Sequence, residues 1–551
     1  MRKVIFKAIS VFTTLAMLTT AMPLKSMAAD TSQATQEASQ KIQAEFFVST
    51  IGDDSNPGTY AQPFATLQGA RGAVRKINKN MTGNIIVNIA AGDYYLSQTL
   101  DLNTQDSGTN GYNIIYKSTD GVGAAKLYGG QPVDPKSWIL ADDTDTANYG
   151  MLSSMVGKVY KTHLDPANNF NTLYVNDSRA MMARTPNWVE IPGFPEAKDG
   201  YNRMAGWGTQ GKNVVVAQSS LNAEQVNGMK LAQQNSEEVA QVFSWDGGTG
   251  GEGGTWDWFT DTFPITSMTT EGSNYILDFP DNSSSTDFYT KYQYWAKYQI
   301  SNGSRYFLQG NISFLDAPGE YHYNKKTGWL YYYPKAIDGE VGTWKVVAPT
   351  MQTVINIKGT NKQNPDDKPD IAKQAHNIVI DGLAVKDTEF SGSYTYSTNW
   401  GDGSGPIKDY PPEAKANGVT LPSYCESADR PMFQVGNIRL QDTNNITISN
   451  TNVKNAGIYG IFMAGDNQYD KIKNTAVEYC GDGGISIDGG YPGVGKYNNH
   501  NTFENILIHD VGQLVGHGVG FTIMSSGQNT FTHMEIYNSP KRGLLVLGGY
   551  S

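Results

Sequence analysis

The sequence predicts an all-β protein: a right-handed parallel β-helix carrying an inserted antiparallel β-sandwich-like domain, with a capping helix over its N-terminal coil. Three observations predict it. The first is a repeat in the last hundred or so residues. Segments Asn445–Asn450, Asp470–Asn474, Asn501–Asn505 and Asn529–His533 align, and each leads through a second short strand to a third: Gly460–Met463, Gly484–Ile487, Gly520–Ile523 and Gly543–Val546. Their spacing drifts from roughly 24 to 31 residues, as in a solenoid whose insertions fall in loops. The second is strict in/out alternation with β-branched residues and Asn at the corners, which marks β-coils and not helices. Asn450, Asn474 and Asn505 are expected to stack as an amide ladder that satisfies backbone groups at a bend. The third is the loss of this pattern from about Trp138 to Val347. Aromatics crowd there (Trp245, Trp256, Trp258, Phe259), and Asn324–Gly328 links Tyr321–Tyr323 to Trp329–Tyr333 as a hairpin.

The elements follow in order. Residues 1–29 have the parts of a secretory signal: Arg2, Lys3 and Lys7, an apolar run Ala8–Leu24, and a small-residue cleavage site Ser26–Ala28. A secreted, extracellular protein is expected, with no membrane association after cleavage. Residues 30–44 read as a linker rich in Ser, Gln, Thr and Ala. Residues 45–137 supply the cap and first coils. From Phe64 to Ile77 the apolar residues fall at helical spacing, and strands are expected at Asn84–Ile89 and Asn113–Tyr116. Asp53, Asp54 and Asn56 read as a turn that positions the cap, in preference to a calcium loop. Residues 138–347 are the insertion, and Gly247–Gly254 lacks the Lys and helix of a phosphate loop. Residues 348–551 are the main coils, interrupted by an excursion, Ser391–Met432, of the kind that roofs binding sites. The sequence ends just after a third strand, and further coils beyond Ser551 are expected.

Composition narrows the function. A net charge of −11 without a basic stripe excludes a nucleic-acid partner. Two cysteines, Cys425 and Cys480, allow one bridge or two free thiols; Cys480, at a coil corner, reads as a small packed residue. Residues at one offset in successive coils stack about 4.8 Å apart. On the third-strand sheet the outward positions are Arg439/Gln441, Phe462/Ala464, Ser486/Asp488, Thr522/Met524 and Leu545/Leu547. The turns leading into it bring Tyr459, Asp482, His517 and Lys541/Arg542 together. Sugar chemistry needs carboxyls to move protons and polar or aromatic groups to hold the ring. Asp482 and Asp488, both beside glycines, are the expected catalytic acids. Arg439, Gln441, Tyr459, Ser486, His517, Thr522 and Arg542 are the expected substrate-binding residues. Glu478 and Glu504 read as solvated surface on another sheet, and His509 as a corner residue.

Three further motifs carry a resemblance. They are Phe47–Ser49 through Gly58-Thr59 to Pro63–Leu67; Leu173–Asn176 with Arg179-Ala180 and Ala183–Asn187; and Gly319–Tyr323 with Thr327–Tyr332. With the coils, they resemble secreted bacterial β-helix proteins of glycoside hydrolase families 120 and 141, in the pectate-lyase-like superfamily. The resemblance spans nearly all of the mature chain. It implies a glycoside hydrolase acting on plant or microbial polysaccharide of the xylan or fucoside type through a carboxylate pair. It also implies more coils on the cleft sheet than the sequence holds. A calcium-dependent polysaccharide lyase and a non-catalytic carbohydrate-binding or surface protein are the alternatives. The hydrolase needs no cofactor; the lyase would take calcium.

Overall fold

The computed structural model describes residues 41–547 apart from internal stretches, the longest being 246–259, 282–301, 361–370, 396–433 and 489–497. The expected signal segment, the Gly-rich loop, Trp256, Trp258, Cys425 and most of the 391–432 excursion lie outside the described residues.

Seven parallel strands form one sheet of the solenoid: Leu100–Asn103, Ile355–Lys358, Gly436–Gln441, Tyr459–Ala464, Ile485–Asp488, Val519–Met524 and Arg542–Leu547. A 12-stranded sheet makes the rest of the wall. It is continuous because strands such as Lys471–Glu478 run through a corner without a break. The bend is made at one residue. Asn450, Asn474 and Asn505 each take a left-handed backbone with φ of 50°, 50° and 55°, a conformation Asn tolerates better than most side chains. Their amides form the expected ladder: Asn505 Nδ2 donates to Asn474 Oδ1 (2.9 Å), and Asn474 Nδ2 to Asn450 Oδ1 (3.2 Å). The ladder joins side chain to side chain and not, as expected, side chain to backbone. Asn450 Nδ2 ends it on Asp381 Oδ1 at 2.7 Å.

Inside the coils Ile438, Ile461, Ile485 and Phe521 stack in register, all fully buried. Each contributes about 1.5–3 kcal/mol of transfer free energy. Leu544 and Val546 continue these columns but are 53% and 62% exposed on the last described strand. Cys480 is free and buried in this core, where desolvation pushes its thiol up to about 12. The cap helix spans Leu67–Ile77 and not Phe64 onward, because Thr66 serves as N-cap by accepting from the Gly69 N–H. Asp54 accepts from the backbone of Ala65 and Thr66 at 3.0 and 2.9 Å, so this acid positions the cap. The first strand, Ile42–Val48, begins inside the stretch read as linker because it finds a partner in Asn84–Ile89.

The insertion starts and ends slightly outside the expected limits. Gly130–Val133 and Val346–Pro349 pair antiparallel, so the chain leaves the coils and returns to them through two neighbouring strands. Its sheets are mainly antiparallel, with one parallel pair (Met181 opposite Glu320), and a helix, Ala223–Gln234, packs beneath them. One six-stranded sheet of the insertion ends in Thr260–Ile265 followed by Tyr394–Thr395. The described start of the long excursion is therefore an edge strand of the insertion. This edge carries the insertion against the seven-stranded sheet.

Candidate active site

The outward row on the seven-stranded sheet follows from the coil register. Asn356, Arg439, Phe462, Ser486, Thr522 and Leu545 are successive cross-strand neighbours. Gln441, Ala464, Asp488 and Met524 form the parallel row two residues on. The insertion edge and the Phe390 segment cover part of this face, so Phe462, Ser486 and Thr522 are buried although they point away from the core.

Two polar clusters occupy opposite ends of the sheet. At the leading end, Asp482 is only 2% exposed. The Tyr394 hydroxyl donates to its Oδ2 at 3.1 Å, and Tyr459 also hydrogen-bonds it. His517 Nδ1 accepts from the Thr260 backbone N–H at 3.1 Å and lies 2.9 Å from the Thr260 hydroxyl. Burial, aided by the Lys541 charge, holds His517 neutral, well below its ordinary pKa. With Nδ1 accepting, the proton sits on Nε2, which faces the Tyr394 oxygen at 3.3 Å. A hydrogen-bond chain therefore runs from the insertion backbone through His517 and Tyr394 to the Asp482 carboxyl. Burial pushes that carboxyl up to about 7, against the lowering effect of the two tyrosines and Lys541. Asp261, buried in the adjoining strand, acts electrostatically on the same Tyr394 hydroxyl.

At the trailing end, Gln434 Nε2 donates to Asp488 Oδ2 at 2.9 Å, and Arg439 Nε donates to the Gln434 carbonyl at 2.8 Å. Among the described residues, Gln441 Oε1 and Ser486 Oγ are buried without a hydrogen-bond partner. Ala464 stands between Gln441 and Asp488 in register, and its small side chain leaves space between them.

The sequence-predicted residues thus divide. Tyr459, Asp482 and His517 converge with Lys541; Arg439, Gln441, Ser486 and Asp488 share the other end, with Thr522 beside Ser486. Arg542 is exposed on the last described strand, in register with Val519, while its neighbour Lys541 is the cation acting on the cluster. The expected carboxylate pair is spread along the chain: Ile485 to Asp488 covers about 10 Å of strand, and Asp482 lies beyond its other end. Glu478 is no idle surface group either: it pairs with His509 Nε2 at 3.1 Å, while His509 Nδ1 meets Asp510 at 2.6 Å. Tyr394, Thr260, Asp261 and Gln434 were missed. Thr260 and Asp261 come from the insertion, Tyr394 from the long excursion and Gln434 from the segment just ahead of Gly436–Gln441, places where no repeat sets a register. Among the described residues no group of three His, Cys, Asp or Glu side chains is arranged to hold a metal ion.

Comparison with known proteins agrees with this architecture. Residues 418–551 match the right handed beta helix region family, and residues 255–335 match the GH141 insertion domain. No curated protein sequence matches the chain. A solved structure described as a glycoside hydrolase superposes with a TM-score of 0.66 at 16% identity, covering 92% of this chain and 80% of its own. A structure of XylC in complex with xylose aligns at a TM-score of 0.41 and 9% identity, over 92% of this chain and 60% of its own. The class is therefore a right-handed parallel β-helix protein with an inserted domain. Within that inserted domain, residues 255–335 are similar to the GH141 insertion domain.

Proposed function

We propose that the protein is a secreted hydrolase of plant or microbial polysaccharide, of the xylan or fucoside type, with Asp482 as proton donor to the leaving glycosidic oxygen. One observation carries the reading. Burial raises a carboxyl at the junction of coil and insertion to about 7, and two tyrosine hydroxyls fix its direction. A carboxylic acid tuned upward in this way is what glycoside hydrolysis asks of its acid. Asp261, which shares Tyr394 with Asp482, is the second carboxyl of the pair in place of Asp488. His517 and Tyr394 orient Asp482. At the far end of the sheet Asp488, Gln441 and Ser486 offer buried polar atoms to sugar hydroxyls, with Arg439 fixing Gln434 and hence Asp488.

The test is hydrolysis of xylan and of fucosylated glycans by the wild-type protein and three variants. Asp482→Asn and Asp261→Asn should each lower kcat by about 10²-fold or more, the usual scale of lost acid–base catalysis. Asp488→Asn should chiefly raise KM. Wild-type turnover in a folded Asp482→Asn protein would remove it from the reaction. Turnover that survives a chelator is expected, whereas chelator-sensitive release of unsaturated uronates would identify a lyase instead.

A further inference from the structure

A cleft of about 180 Å³ opens where the insertion meets the coil loop Gly512–Gly516. That is room for about six waters, or one sugar ring. It borders the Asp482 network at Gly516, whose N–H donates to the Thr260 hydroxyl, and nothing assigned so far uses it. Its walls include Trp188, Tyr201, Phe243 and Phe307, with the Arg179 and Arg184 side chains. The Arg184 guanidinium is sandwiched between Trp188 and Phe307, 4.0 and 3.6 Å from the ring centroids.

The charges in this cleft are uncompensated. Arg179 spends its Nη atoms on the Thr172 and Tyr174 hydroxyls and on the Ala456 and Tyr479 carbonyls. Arg184 donates to the carbonyls of Pro186 and Gly200. Neither is paired with an ionised carboxylate among the described residues. The nearby acids are Glu320, which burial pushes up to about 8, and Glu389, which burial raises well above the usual carboxylate range. Burial disfavours the charged form of both, and the two arginines face the cleft in a chain whose net charge is −11.

Three polar atoms in or beside it are also unspent. Arg179 Nε and the Tyr321 hydroxyl, from residues of its lining, and Oε2 of the neighbouring Glu389 are buried without hydrogen-bond partners among the described residues. Tyr321 is 1% exposed and Glu389 8%. These groups interact electrostatically with one another, so they gather around one place. Orphaned buried groups of this kind are costly unless something bonds them. Glu389 is held for that purpose through its other oxygen, which accepts from the Asn171 N–H at 2.6 Å and from Nδ2 at 3.1 Å.

We propose that this cleft binds one carboxylated sugar residue, a hexuronate unit. Its carboxylate would face Arg179 and Arg184, its hydroxyls the Tyr321 and Glu389 oxygens, and its ring the Trp188–Tyr201 wall. The inference rests on reading the chain as a saccharide-active protein, but its test is binding and not turnover. An inactive catalyst with an occupied cleft and an active catalyst with an empty one therefore give different results.

The experiment is calorimetric titration of the full-length protein with methyl β-D-glucuronoside and with methyl β-D-glucoside, which differ at the carboxylate. The glucuronoside should bind about tenfold more tightly at low salt, and the gap should narrow as salt screens the charges. Arg184→Gln should bring the two sugars within about twofold. Because Arg184 is buried and its loss can unfold the domain, Met181→Glu supplies a second variant. Met181 lines the cleft at a 37% exposed position, and a carboxylate there should repel the glucuronoside selectively. Equal affinity for the two sugars, no binding of either at millimolar concentration, or an unchanged preference in folded Met181→Glu protein would each overturn the proposal.

Discussion

Asp482 shows how a single side chain becomes reactive through what covers it. Its ordinary carboxyl value is 3.8, and burial under Tyr394 carries it to about 7. The sign of the stability effect follows. The neutral carboxyl's contribution is complete below the unfolded value near 4 and is lost as pH rises through about 7. Asn at this position stays neutral throughout, so the melting temperature of Asp482→Asn should rise relative to the wild type between pH 5 and 9. A gap that stays constant across this range would mean that the carboxyl is already charged at the acid end. In the active protein the same titration should give kcat an alkaline limb near pH 7, as expected for an acid that must be protonated. Neutral His517 belongs to the same design: its Nε2–H points to Tyr394, so Tyr394 keeps its own proton for Asp482. Tyr394→Phe should therefore shift the alkaline limb while leaving the fold intact, a readout that a purely structural role would not move.

At the scale of the element, the coil corner does two jobs with one residue. Asn474 has φ of 50° and also bonds the amides above and below it. Glycine would keep the backbone and lose the ladder, whereas alanine would lose the ladder and strain the backbone by about 1–2 kcal/mol. Asn474→Ala should therefore be less stable than Asn474→Gly by about that strain in urea unfolding. Equal losses would show that the amides, and not the backbone, set the corner. Such corners made the solenoid legible in the sequence, because Asn at a fixed offset and alternating Ile and Val are local signals. The same register placed Arg439, Ser486 and Thr522 in one row. The earlier third-sheet strands, Leu100–Asn103 and Ile355–Lys358, were harder to see because the insertion separates them by more than two hundred residues. Residues reaching the site from outside the repeat had no period to betray them. Tyr394 looks like any tyrosine in an irregular excursion, and Thr260 like any strand threonine. Only docking brings them to the coils, where Asp261 acts on the same Tyr394 hydroxyl that donates to Asp482.

For the whole molecule, the insertion is the part that turns a wall of parallel coils into a site. Its edge touches the coils at Gly516, where a Cβ would overlap the Trp245 ring and the Thr260 methyl group. The Gly516 N–H donates to the Thr260 hydroxyl at 3.2 Å, and Thr260 in turn holds His517. The contact is therefore closest at the point where the hydrogen-bond chain to Asp482 begins. Interfaces between parts of one chain are modest in energy, so one methyl group can change this one without touching either core. Gly516→Ala should leave the coil core intact and the melting temperature close to wild type. It should displace Trp245, break the Thr260–His517 contact and expose Asp482 to water. Exposure removes the desolvation that raised the carboxyl, so its pKa should fall toward 3.8 and activity at neutral pH should fall with it. Three measurements on one variant test this: tryptophan emission, hydrogen exchange across 260–265 and 516–519, and the position of the alkaline limb. If exchange increases across 260–265 while the limb stays at about 7, the coil alone tunes Asp482, and the insertion only shapes access to it.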